Sequence, residues 1–213
     1  MRIRNVKNKT EIMNESCYLL KNYFNYCGKW KEVFKNSNPI YIEIGMGKGQ
    51  FIIENALKYP NINFIGIEKF DSIVAKCLKK IPDGLDNLII LRANALDIDK
   101  IFDNEVDKIY LNFSDPWPKN RHSSRRLTSN VFLDKYKKIL KGDSTIEMRT
   151  DNRELFQYSL VSLSMDGYIL EEVSLDLHHD NMPLITTEYE DKFSDKGMPI
   201  YYLKGSNLSI YRK

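Results

Sequence analysis

The stretch "PIYIEIGMGKGQF", Pro39 to Phe51, changes character in its middle. It begins as the apolar, β-branched and aromatic run of a buried strand, which Gly45, Gly47 and Gly49 then interrupt. "GQFIIENALKYP" continues at helical spacing. A strand that feeds a helix through a tight glycine turn opens a βαβ unit, and the residues downstream keep that rhythm. "NFIGIE", "NLIILRAN" and "DKIYLNF" read as further buried strands, with "DSIVAKCLKKI" and a short turn near Ile98 to Phe102 between them. A helix follows, capped by Thr128 or Ser129, with Phe132, Tyr136, Ile139 and Leu140 on one face and Gly142 to end it. "STIEMRT" is then a fifth strand and "RELFQYSLVSLSM" a helix, and "GYILEEVSLDL" and "MPIYYLKGSNLSIYR" close the pattern as strands. Alternation of this kind predicts an α/β fold with a doubly wound, mostly parallel seven-stranded sheet covered on both faces.

Upstream, Lys9 to Tyr26 carries Ile12, Leu19, Leu20, Tyr23 and Phe24 at loosely helical spacing. Residues 1–38 are therefore expected to form a partly helical extension with a basic start (Arg2, Arg4, Lys7, Lys9), and residues 39–213 the main domain. Leu177 to Gly197 has no periodicity of its own, as functional loops often do not.

Composition narrows the function classes. The chain has 213 residues, 42% hydrophobic and 29% charged, which suits one well-packed domain. No apolar run approaches the roughly 18 residues of a membrane span, and "MRIRNVK" has no apolar signal core, so a cytoplasmic protein is expected. Cys17, Cys27 and Cys77 are odd in number and lack C-x-x-C spacing, which argues against a disulfide framework or zinc site. With a net charge of only +3, affinity for a polyanion must come from local clustering.

The glycine turn points to a ligand. Gln50 stands where a dinucleotide fingerprint needs its third glycine. The spacing E-x-G-x-G-x-G from Glu43 is instead that of S-adenosylmethionine (SAM) methyltransferases. Glu68 ends the second strand about twenty residues on, where an acid can accept hydrogen bonds from ribose hydroxyls, and Asn94 ends the third. Asp115 follows the fourth strand at the same edge, inside "SDPWPKNRHSSRR" (Ser114 to Arg126). Pro116 and Pro118 fix two φ angles and preset Asp115 and Trp117. Trp117 is open to two readings, stacking on a base or packing. Lys119, Arg121, Arg125 and Arg126, with His122 among them, have no acid to balance them and read as phosphate contacts.

Taken together, "EIGMGKGQF", "GIEKF", "LNFSDPWPKNRHSSRRL", "MRTDN" and "TEYE" closely resemble the tRNA (guanine-N7)-methyltransferase family of the TrmB type. "GKW" (Gly28 to Trp30) and Phe34 extend the likeness upstream. The resemblance implies a Rossmann-like class I fold and methyl transfer from SAM to N7 of a guanosine in the tRNA variable loop, with no metal. By the same likeness Glu43, Gly45, Gly47, Glu68, Asn94 and Asp115 line the SAM site, Asp115 being the catalytic residue. Lys119, Asp151, Thr187, Glu188, Tyr189 and Glu190 would hold the substrate, and Arg121, His122, Ser123, Ser124, Arg125 and Arg126 would touch RNA. No obligatory protein partner is evident, and both monomer and homodimer are compatible with the sequence. The family more often has a charged pair where Ser123 and Ser124 stand, which bears on the shape of the RNA handle.

Acids in an RNA-binding protein need a purpose, since they repel phosphate. Asp151 and Glu190 are expected to accept N1–H and N2–H from a splayed-out guanine, with the loop closing over it. "DLHHD" (Asp176 to Asp180) is weak as a metal site because adjacent loop side chains seldom converge. Three rival functions stay distinguishable by experiment. Methylation of an exocyclic amino group would show in the modified nucleosides, nicotinamide-dependent redox chemistry would show as NAD binding, and a non-enzymatic RNA module would not turn over SAM.

Overall fold

A computed structural model describes residues 6–180, 185–190 and 197–207. The expected seven strands are present in the order β3-β2-β1-β4-β5-β7-β6. They run β1 (Ile40–Ile44), β2 (Asn63–Glu68), β3 (Leu88–Arg92), β4 (Val106–Asn112), β5 (Leu140–Thr150), β6 (Tyr168–Ser174) and β7 (Tyr201–Asn207). β1 to β5 pair in parallel, while β7 inserts antiparallel between β5 and β6. The strand order reverses between β1 and β4, so the loops leaving those strands diverge and open a crevice, the usual ligand position in doubly wound sheets.

The helices divide between the two faces. α3 (Gln50–Lys58) and α4 (Asp71–Leu78) bury Phe51, Ile52, Ile53, Val74 and Cys77 with Phe64 and Ile90 of the sheet. On the other face α5 (Ile98–Ile101), α6 (Asn130–Ile139) and α7 (Arg153–Met165) bury Ile101, Phe132, Tyr136, Phe156 and Leu163 against Ile42, Ile109, Ile146 and Leu203. Continuous apolar strands such as "NFIGIE" follow from burial on both faces.

The structure corrects the sequence expectation in several places. The opening segment is helical only in parts. α1 (Lys9–Glu15) stops, Tyr18 to Leu20 run extended, and a 3₁₀ turn forms at Tyr23–Tyr26. Leu20 N–H donates to Ile90 O at 3.1 Å and Ile90 N–H to Tyr18 O at 2.8 Å, so this segment adds to the edge of β3. Backbone pairing there outweighs the weak helical periodicity. Next comes α2 (Trp30–Phe34), not expected from the sequence. Trp30 is fully buried, its indole N–H donating to Ile101 O at 2.9 Å, and Glu105 accepts from the Gly28 and Trp30 amides. Gly142 does not end α6: the helix stops at Ile139 and β5 begins at once, so Gly142 lies within the strand. Arg2, Arg4 and the end of the last expected strand lie outside the described residues, as does part of the loop before it.

Candidate active site

The glycine turn after β1 forms the floor of a cleft of about 190 Å³ lined by Glu43, Gly45, Gly47, Gly49, Asn112, Phe113, Thr187, Glu188 and Tyr189, among others. Gly45 and Gly47 have φ of 80° and 58°, the left-handed region that side-chain-bearing residues avoid. Gly49 combines a φ of 80° with close packing: a Cβ there would run into Cys77 Sγ, so glycine is what lets α3 approach α4.

Glu43, the penultimate residue of β1, is 2% exposed. Asn112, at the end of β4, donates to its Oε1 at 2.9 Å, while Oε2 is buried with no hydrogen-bond partner. Burial raises its pKa to about 7, the Asn112 hydrogen bond and the Arg149 guanidinium only partly opposing that. An orphaned, buried acceptor at a cleft is costly unless a ligand satisfies it. Glu68 ends β2, and its carboxylate accepts from the Lys69 and Phe70 amides at 2.8 and 3.1 Å and from the Gly47 amide. Burial raises its pKa, with these amide bonds opposing.

Other expected residues lie apart. Asn94 is exposed, and its Oδ1 caps the short turn Ala95–Asp97 by accepting from Leu96 N–H at 3.1 Å. Asp115 is exposed in the loop after β4 and does not line the cleft. Its neighbour Trp117 has φ 43°, and Phe113 has φ 49°. Non-glycine residues rarely hold such angles without support. Lys119 precedes a 3₁₀ turn at Asn120–Arg125, from which Arg121, Ser124 and Arg125 face solvent while His122 and Ser123 are half-buried. Trp117 is half-buried under that turn, with the Arg125 guanidinium 4.9 Å above its ring and His122 edge-on at 5.8 Å.

Two of the expected contact residues are buried. Arg126 does not face outward with the other arginines; it is 8% exposed and hydrogen-bonded to the loop. Glu190 does not face solvent either. It is fully buried, its Oε2 lying 3.2 Å from Arg149 Nη1 and accepting from Thr187 N–H at 3.3 Å. Arg149 also donates to Ile185 O at 2.7 Å, so this pair ties residues 185–190 to β5. Glu188 faces the cleft but is held by Lys48 and Lys80. Tyr189 is left exposed, its ring tilted against Phe113 (4.8 Å) and its hydroxyl 3.3 Å from Asp151 Oδ2. "DLHHD" does not converge either: His178 turns toward Glu190 and His179 toward Asp176.

Sequence reasoning missed Asn112 and Arg149. The signal was available in both: each is a polar residue in an otherwise apolar strand, "YLNF" and "EMRT", at the carboxyl edge. Lys48 and Lys80 gave none, since surface lysines are common.

A family model described as "Putative methyltransferase" matches residues 37–203. The tRNA (guanine-N(7)-)-methyltransferase of Lachnoclostridium phytofermentans is 49% identical over 207 residues, 95% of this chain and 97% of that protein. That of Lysinibacillus sphaericus is 49% identical over 215 residues, 98% of this chain and 99% of its own length. Among solved structures, an antibiotic-related methyltransferase (TM-score 0.64, 20% identity, 84% of this chain and 92% of that one) shares the fold. So does the 16S rRNA methyltransferase KamB (TM-score 0.62, 13% identity, 84% and 93%).

Proposed function

The chain belongs to the tRNA (guanine-N(7)-)-methyltransferase family, and from that membership we propose that it methylates N7 of a guanosine in the variable loop of tRNA, using SAM. The observation that carries this reading is a juxtaposition at one sheet edge. A glycine-lined cleft with a buried, half-satisfied acid lies beside β4, whose loop carries an exposed carboxylate and outward-facing cations.

The residues of the cleft fit the methyl donor. Glu43 Oε2 needs a donor, Gly45 and Gly47 leave room for close approach, and Glu68 ends the neighbouring strand where ribose hydroxyls are usually met. Asn94 is the further candidate for this site. When bound, SAM supplies a methyl group on a positively charged sulfur. The N7 lone pair of guanine is free at neutral pH, so no residue has to remove a proton first. Alignment then dominates the barrier, and as the purine gains positive charge the Asp115 carboxylate stabilises it.

The substrate side is built for a large polyanion. Lys119, Arg121 and Arg125 are exposed for phosphate contacts, while Asp151 and the exposed Tyr189 form a polar edge suited to guanine donors. Thr187 and Glu190 stabilise that edge from beneath.

Incubating an unmodified tRNA transcript with SAM, then reducing with borohydride and cleaving with aniline, cuts RNA at N7-methylguanosine. A single cut in the variable loop, absent with Asp115→Ala, is the expected result. Methyl incorporation with no aniline cut would overturn the choice of acceptor atom.

A further inference from the structure

Among the arginines that follow the Pro-Trp-Pro turn, one is built differently. Arg126 is 8% exposed, whereas Arg121 and Arg125 are open to solvent. Its Nε donates to Pro116 O at 3.1 Å and its Nη2 to Trp117 O at 3.1 Å. The guanidinium lies 4.3 Å from the ring centroid of Tyr158 on α7. Among the described residues no carboxylate pairs with it. A buried cation is expensive, and here the compensation is two successive carbonyls of a strained turn plus an aromatic face.

The next residues are fixed to the same helix. Thr128 Oγ1 lies 2.7 Å from Ser159 Oγ, and Ser162 Oγ donates to Thr128 O at 2.6 Å. α7 is thus a rigid anchor, and Arg126 carries its rigidity into the backbone on either side of Trp117, whose φ of 43° no glycine relieves. Lysine could not substitute: it has no planar fork to reach both carbonyls while stacking on a ring.

We propose that Arg126 is a positioning residue that clamps the Pro116–Trp117 turn to Tyr158 and thereby fixes Asp115, and that it is not a phosphate contact. This rests on the reading of Asp115 given above. A phosphate contact and a clamp differ in what they move. Loss of a contact flattens the dependence of log K on log salt by about 0.7 to 0.9, whereas loss of a clamp lowers turnover and leaves that slope alone. Misplacement of a reacting group by about 1 Å costs on the order of a hundredfold.

The test uses Arg126→Ala, Arg126→Lys, Tyr158→Ala and Arg121→Ala, with kcat, KM for tRNA and tRNA binding across a potassium chloride series. Arg126→Ala and Arg126→Lys are expected to lose kcat by on the order of a hundredfold with unchanged salt slope. Tyr158→Ala, which keeps every cation, should lose about tenfold, a fraction of the clamp's hundredfold. Arg121→Ala should flatten the slope. Full kcat in Arg126→Lys, or a slope flattened by Arg126→Ala as by Arg121→Ala, would overturn the proposal. If Arg126→Ala fails to fold, Tyr158→Ala decides.

Fluorescence separates this from the functional reading. Trp30 is fully buried and Trp117 is not, so acrylamide quenching reports Trp117. Quenching should rise in Arg126→Lys and Tyr158→Ala but not in Arg121→Ala. Unchanged quenching overturns the clamp even if the wild type methylates tRNA. Increased quenching in a protein that never methylates guanine N7 supports the clamp and overturns only the assigned reaction.

Discussion

Glu43 and Asp115 belong to adjacent parallel strands, one within β1 and the other just beyond β4, yet they are made in opposite ways. Glu43 is on the strand itself, almost fully buried, and held by Asn112 of the neighbouring strand. Asp115 stands beyond its strand, exposed, in a turn whose backbone depends on contacts from Arg126 and Tyr158. A small ligand can be enclosed by a preformed cleft, so its acid is buried in advance. A folded RNA brings its own surface, so the acid that meets it must wait in the open, on a loop stiffened from behind.

That contrast can be broken at either end. The largest expected effect is on the exposed side: Asp115→Ala should lower methyl transfer by 10²- to 10³-fold, the usual range for removing one electrostatic stabiliser, with the melting temperature nearly unchanged. Activity lost only together with stability would remove the distinction. On the buried side Gly49→Ala should destabilise by about 2 to 3 kcal/mol, since its φ of 80° and the contact with Cys77 are both unfavourable for a Cβ. A denaturant midpoint close to wild type would show that α3 and α4 can part without penalty.

Glu43→Gln sharpens the comparison through pH. The folded protein keeps a proton on Glu43 up to about pH 7, while the unfolded chain releases it near 4.5. Between those values the folded state binds the extra proton, so wild-type stability falls as pH rises and the full penalty is present above about 7. In the ligand-free protein Glu43→Gln should therefore be more stable above pH 7, by on the order of 2 kcal/mol, with the advantage shrinking toward pH 4.5. SAM affinity should fall in the same variant. A pH-independent difference would mean the acid is solvated after all. The smallest effect is expected for Glu188→Gln, whose partly exposed pairs with Lys48 and Lys80 are worth under about 1 kcal/mol, read as a shift in melting temperature that vanishes in high salt.

The buried side was the more legible in the sequence, for a physical reason. Strand, glycine turn and helix are short-range patterns, so "IYIEIGMGKGQF" specified its own geometry, and Glu68 fell at a strand end as the alternation required, while Asn94 lies just past the end of β3. The direction of a side chain in a loop is decided by partners far along the chain. Arg125 and Arg126 are neighbours of the same type, yet Arg125 lies over Trp117 facing solvent while Arg126 turns in to Tyr158 and the carbonyls of Pro116 and Trp117. The burial of Glu190 was not legible because its partner Arg149 is 41 residues earlier. The opening segment misled for a third reason: its few apolar residues suit a helix and an edge pairing about equally, and the unpaired edge of β3 selected the latter.

That pairing has a consequence of its own. An open sheet presents unpaired amides and carbonyls along its outer strands, where another chain can add. Tyr18 and Leu20 occupy the amide and carbonyl of Ile90 on β3. At the opposite margin β6 carries a register irregularity between Leu170 and Glu172, with Glu171 and Glu172 both paired to Lys204. Each end of the sheet is thus guarded by a different device, one by a strip of the chain's own backbone and one by a bend laden with charge. The first guard is contributed by residues ahead of the first strand, so the fold closes part of its own outer edge with a segment that lies outside the βαβ alternation.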